Sequence, residues 1–125
     1  MMIAAVVPDI TNPYFSEIVQ GIEGVAWEQG YSVLLVNTDE TLSRERTALS
    51  QLEDSTVDGL VVCSPRLPDD ELFPLLERHR SVVTINRDVP EHLASVVIGH
   101  DDLLERALRG VEHLIASGRR RIAYF

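Results

Sequence analysis

The stretch "MIAAVVPDITNPYFSEIVQGIEGVAWEQG", residues 2–30, decides the fold. It opens with "MIAAVV", a continuous apolar run of the kind found in strands covered on both faces. Further on, Phe15, Ile18, Val19, Ile22, Val25 and Ala26 fall on one helical stripe. Asn12 suits the N-cap, Pro13 suits the first helical position, and Gly30 closes the helix. The strand hands over to the helix through "PDITNPYF", residues 8–15, which holds two aromatics where strand-to-helix loops are ordinarily small and polar. Phe15 lies on the stripe and is expected in the core, shared with any site above it. Tyr14 lies one residue off the stripe. At the mouth of a crevice its ring offers a flat apolar face for stacking, with polar groups beside it to orient a ligand.

The same alternation continues along the chain. "SVLLV" (32–36), "LVVC" (60–63), "SVVTI" (81–85) and "SVVI" (95–98) read as further strands. A second helix is expected over 42–54 with Ala48, Leu49 and Leu52 inward. A third, over 68–79, contains Pro74, which should kink or shorten it. A fourth carries Leu104, Ala107, Leu108, Val111, Leu114 and Ile115 on one stripe and ends at Gly118, before a last strand "RIAYF". This pattern predicts an α/β fold: a doubly wound parallel sheet in the order 2-1-3-4-5, with helices on both faces. No internal repeat, linker or low-complexity stretch interrupts it.

Composition narrows the function. The chain has 125 residues, 45% of them apolar, a net charge of −9 and a pI of about 4.8. Such a charge opposes binding to a phosphate backbone. The basic "RRR" at 119–121 reads as the solvated flank of a strand. Cys63 is the one cysteine, which excludes an internal disulfide and a cysteine-based zinc site, and its place at the end of a strand suits a small core residue. There is no basic, apolar leader pattern and no run near the ~20 apolar residues of a membrane span. A cytoplasmic chain with no membrane partner is expected.

Ligands of doubly wound sheets bind outside the carboxyl ends of the strands. That points to "PDITNPYF", "SPRLP" (64–68), "NRDVP" (86–90) and "GHDD" (99–102). Asn86 offers a donor and an acceptor on one planar group, and Arg87 a fork of donors, which suit hydroxyls and carboxylates. Alone, "NRDVP" is accounted for by a polar turn; beside "TNPYF" at the same sheet end, a binding role carries equal weight. In "GHDD", Asp101 or Asp102 caps the next helix, leaving the other acid and His100 to reach a ligand. No histidine or cysteine spacing supports a metal site. Phosphate-binding motifs, a serine elbow and a nucleophile–base pair are all missing, so neither a nucleotide cofactor nor an enzyme is expected. Asp69 and Asp70 suit a helix N-terminus.

"IAAVVPDITNPYFSEIVQGIEGVAWEQGYSVLLVNTDE", "VDGLVVC", "VVTINRD" and "VEHLIASGRRRIAYF" together resemble the effector-binding domain of lactose-repressor (LacI/GalR-type) transcriptional regulators over nearly the whole chain. Periplasmic sugar-binding proteins of the ribose type share this periplasmic-binding-protein-like type I fold. The resemblance implies a hinged, two-lobed domain with a sugar-like effector between the lobes, a homodimer, and an N-terminal helix-turn-helix that binds an operator. It places the family's loop asparagine on Asn12, its aromatic pair on Tyr14 and Phe15, and its Asp-Arg pair on Asn86 and Arg87, where Asn replaces Asp. Near residue 100 the family's polar pair falls on Gly99–His100 when matched from the strand, and on Asp102–Leu103 when matched backward from "VEHL". It also implies that residues 1–118 are an N-terminal lobe and that 119–125 begin a second lobe. No helix-turn-helix precedes Met1, so operator binding is expected only through a domain outside this chain. A transporter's solute-binding protein is the alternative. A phosphoacceptor receiver is disfavoured, because Cys63 and Ser64 stand where its Asp after the third strand belongs.

Overall fold

The computed structural model describes residues 1–96, 111–113 and 116–118. Its elements are β1 (Met2–Val7), α1 (Pro13–Glu28), β2 (Ser32–Asn37), α2 (Leu42–Glu53), β3 (Gly59–Cys63), α3 (Asp69–Glu77), β4 (Val82–Ile85) and β5 (Ala94–Val96). All neighbouring strands pair in parallel, in the order β2-β1-β3-β4-β5. This is the predicted order. Residues 111–113 and 116 are helical, inside the predicted fourth helix, and Gly118 turns with φ +81°. The expected strand "RIAYF", the proposed boundary at 118/119, and the end of "SVVI" lie outside the described residues.

Alternation along β1 and β3 supplies both faces. Ala4 and Val6, with Leu60 and Val62, pack on Leu49 and Leu52 of α2 and on Leu72 and Leu76 of α3. Val7 and Cys63 face the other way, onto Phe15, Ile18 and Ile22 of α1. Burial pushes the Cys63 thiol up to about 11, which makes it an inert core group.

Local signals in α1 act as their chemistry requires. The Asn12 Oδ1 accepts the Tyr14 N–H at 3.0 Å, and Pro13 opens the helix. At the far end Gly30 takes φ +80°. There the Tyr31 N–H reaches the Ala26 carbonyl at 2.8 Å and the Gly30 N–H the Trp27 carbonyl at 3.1 Å, the paired bonds of a glycine-terminated helix. Val25 departs from expectation. It is 64% exposed, at the flank of the stripe, where it joins Ile3, Ile18, Ile22 and Ile85 in lining an open apolar groove of about 680 Å³.

α3 is shorter than the predicted 68–79, but Pro74 does not end it. The helix runs through it from Asp69 to Glu77. Proline removes the N–H that would bond the carbonyl of Asp70, but both residues are exposed, so water can serve that carbonyl.

Candidate functional site at the carboxyl edge

The turns that leave β1, β3 and β4 meet at one end of the sheet. In the first, the Asp9 Oδ1 accepts both the Thr11 hydroxyl at 2.6 Å and the Thr11 N–H at 2.9 Å. The Thr11 hydroxyl, followed by its N–H, holds the Asp9 carboxyl below its ordinary pKa. The Asn37 Oδ1, from the end of β2, accepts the Ile10 N–H at 3.0 Å and pins the turn from the side. This geometry fixes the start of α1, and hence the position of Tyr14.

Phe15 is buried and Tyr14 is 44% exposed, as their places on and off the helical stripe predict. The two rings meet edge to face, with centroids 5.1 Å apart. Asn86 donates from Nδ2 to the Tyr14 hydroxyl, joining the start of α1 to the end of β4 across 72 residues of sequence. Among the described residues the hydroxyl keeps its own proton to donate, and Asn12, whose Oδ1 caps the helix, keeps its Nδ2 donors. Asn86 sits at φ +59°, a left-handed backbone uncommon outside glycine but best tolerated by Asn and Asp.

Arg87 turns toward the loop after β3. Its Nη1 donates to the Pro65 carbonyl at 2.9 Å, and its Nη2 to the Leu67 carbonyl at 2.9 Å and to Asp69 Oδ1 at 2.6 Å. Its main-chain carbonyl accepts the buried Thr84 hydroxyl at 3.0 Å. Three of the five guanidinium N–H groups are thus engaged. Among the described residues nothing accepts the Nε–H or the other Nη1–H, on a side chain 22% exposed. His100 and Asp102 lie outside the described residues.

Sequence reasoning missed Glu45. It sits on α2, only 3% exposed, and accepts the main-chain N–H groups of Arg66 and Leu67, each at 3.0 Å. Its position in the first turn of a polar helix looks like an ordinary favourable dipole contact. One hint was available: Glu45 is one helical turn before Leu49, on the same inward face.

Among the described residues no cluster of His, Cys, Asp and Glu is arranged to hold a metal, and no helix is long and apolar enough to cross a membrane.

A doubly wound parallel lobe with aromatic, amide and guanidinium groups at its carboxyl edge has the architecture of a small-molecule receptor lobe. The whole chain, residues 1–125, matches the family of periplasmic binding proteins and the sugar binding domain of the LacI family, and the chain belongs to it. It is 35% identical to the ribose operon repressor of Halalkalibacterium halodurans, over 90% of this chain and 36% of that protein. A LacI family transcriptional regulator from Lactobacillus casei, solved with bound sucrose, superposes with a TM-score of 0.76 at 28% identity, covering 98% of this chain and 44% of that one. A LacI family regulator from Enterococcus faecium, solved with bound ribose, gives a TM-score of 0.61 at 27% identity, over 78% of this chain and 35% of that one. The chain spans about a third of the length of the curated relatives it matches.

Proposed function

We propose that the chain is the N-terminal, effector-sensing lobe of a LacI-type transcriptional regulator and takes a sugar or sugar-like metabolite at its carboxyl edge. The observation that carries this reading is the Tyr14–Asn86 hydrogen bond, which joins an exposed aromatic face to a planar amide on the edge where doubly wound sheets take ligands. Arg87 adds two N–H donors on a group already fixed in place. Ring stacking on Tyr14, with hydroxyls read by Asn12, Asn86 and Arg87, suits a sugar. Phe15, edge to face with Tyr14, is shared between core and site, and His100 and Asp102 belong to the proposed set through sequence pattern and family resemblance alone. Relatives named as regulators favour this over a transporter's binding protein.

The partner lobe would supply the other wall. If it provides half of a micromolar affinity, about 4 of ~8 kcal/mol is missing from this lobe alone, and binding falls to the millimolar range. Calorimetry on the intact regulator with ribose, glucose and sucrose is therefore the test. Tyr14→Ala and Arg87→Ala should each weaken the sugar that binds by at least about tenfold, roughly 1.4 kcal/mol. Unchanged affinity in both variants, with circular dichroism intact, removes the site assignment.

Two partner proposals accompany this reading. The exposed Trp27 and Val25 on α1 support homodimer pairing through α1 and the segment after β2; sedimentation of a clean monomer at high concentration would count against it. Operator DNA would be held only by a helix-turn-helix domain, because the net charge of −9 repels phosphate. A sequence-specific mobility shift by this chain alone would contradict that.

A further inference from the structure

We infer that Glu45 is a positioning residue for the ligand-facing N–H groups of Arg87, acting through the loop between them. The inference rests on the site proposed above. Its own basis is a relay of hydrogen bonds. The carboxylate of Glu45 accepts the Arg66 N–H at 3.0 Å, and the Arg87 Nη1 donates to the Pro65 carbonyl at 2.9 Å. That N–H and that carbonyl belong to one peptide group. The peptide therefore has a negative charge at its positive end and a positive charge at its negative end, so each bond polarises the other. A second strand of the relay runs beside it. Leu67 gives its N–H to Glu45 at 3.0 Å and its carbonyl to the Arg87 Nη2 at 2.9 Å.

The charges in this region leave the loop as the partner of Glu45. No side-chain cation pairs with it among the described residues. The guanidinium groups nearest in sequence and in the loop, those of Arg44, Arg46 and Arg66, are engaged by Asp39, Glu71 and Glu40. A buried carboxylate without a cation needs strong donors, and here they are the main-chain N–H groups of the loop. The loop is fixed from below as well, by the fully buried Leu67 side chain. Arg87 docks on the carbonyls of that fixed loop, and the directions of its Nε–H and remaining Nη1–H follow from the docking. Glu45 never touches the ligand in this arrangement. It sets where the guanidinium rests.

A merely structural Glu45 would stabilise the lobe without any special tie to Arg87, so the test is a double-mutant cycle in ligand affinity. The intact regulator is titrated with whichever of ribose, glucose and sucrose it binds. Glu45→Gln keeps the shape but presents an amide to donors that need a carboxylate, and it should weaken binding roughly tenfold. Added to Arg87→Ala it should cost less than about twofold more, whereas added to Tyr14→Ala its effect should multiply in full. Glu45→Asp keeps the charge and should restore part of the affinity; it takes the place of Glu45→Gln in the cycle if the glutamine variant does not fold. The inference is overturned if the Glu45 variant leaves affinity unchanged, or if its effect multiplies equally with Arg87→Ala and Tyr14→Ala. In either case the site itself stands as long as Arg87→Ala and Tyr14→Ala weaken binding. If those two have no effect, or none of the three sugars binds, the site and this inference fall together.

Discussion

The carboxyl edge of the sheet carries all four non-glycine residues with left-handed backbone among those described: Asp39, Glu40, Ser64 and Asn86. The amino edge, by contrast, enters β2 through a glycine in that conformation, Gly30. Exposed ion pairs occur at both edges. So do side-chain bonds to main chain, Asp58 accepting the Met2 N–H at 2.8 Å at the amino edge, but among the described residues the carboxyl edge has more of them. At the carboxyl edge Glu45, Arg87, Asn37 and Thr84 each bond a main-chain group of a turn. At the amino edge Arg78 pairs with Glu53 at 3.5 Å and His92 with Glu77 at 2.9 Å, between exposed side chains. A polar hollow of about 700 Å³ opens there, lined by Glu77, His79, Arg80 and His92, but His92 engages Glu77 and His79 lies 3.0 Å from the Leu49 carbonyl. Left-handed backbone costs of order 1–3 kcal/mol per residue and persists only where the surroundings over-determine it. The difference marks the carboxyl edge as the place where the fold holds a defined shape, and it agrees with the site proposed there.

The largest effect should come from removing the clamp. Glu45→Ala leaves two main-chain N–H groups without their acceptor, and it should destabilise the lobe by about 3–5 kcal/mol. Urea unfolding measures this, and a loss under about 1 kcal/mol would show that the buried carboxylate is replaceable by water. Ser64→Gly should act in the opposite direction. Ser64 sits at φ +43° and glycine accepts that conformation freely, so stability should rise by roughly 0.5–1 kcal/mol. A fall would mean that the serine side chain contributes more than the strain it carries. Arg78→Ala, at the amino edge, removes an exposed pair and should change stability by less than about 1 kcal/mol. A cost as large as that of Glu45→Ala would erase the contrast between the two edges.

What could be read in the sequence follows the same division. The strand runs are legible because burial on both faces leaves them wholly apolar, and the ends of α1 are legible because Asn12, Pro13 and Gly30 act on their immediate neighbours. Tyr14 is legible as an exposed aromatic, because helical spacing places it beside the stripe and not on it. The anchors are not. Glu45 reaches a loop 21 residues away, and Arg87 reaches back 22 residues to Pro65. Polar bonds to main chain across such gaps carry no period, and a buried Glu has the same letter as an exposed one. The left-handed turns at Ser64 and Asn86 are hidden for a related reason: neither is glycine, and their conformation is imposed by the loop. Val25 shows the converse error, since a stripe gives a direction but not where the cover ends.

The smallest predicted effect concerns Asp9, and it sharpens the contrast by asking whether the carboxyl-edge bonds persist in solution. Asp9 is half-buried; the Thr11 hydroxyl, followed by the Thr11 N–H, outweighs its desolvation and holds its pKa below the ordinary value of 3.8. Because the folded pKa is the lower one, the stabilisation from Asp9 is present in full above the unfolded value. It disappears as pH falls through the folded pKa, when protonation removes the acceptor that Thr11 uses. Thr11→Ala deletes the larger contribution, the hydroxyl bond, and keeps the main-chain bond. The Asp9 carboxyl should then titrate closer to 3.8 while remaining below it. Carbon-detected NMR titration of the Asp9 side chain in both proteins reads this directly. Identical midpoints would mean that the Thr11 hydroxyl faces water in solution and that the turn before Tyr14 is held by the Thr11 N–H and by Asn37 without it.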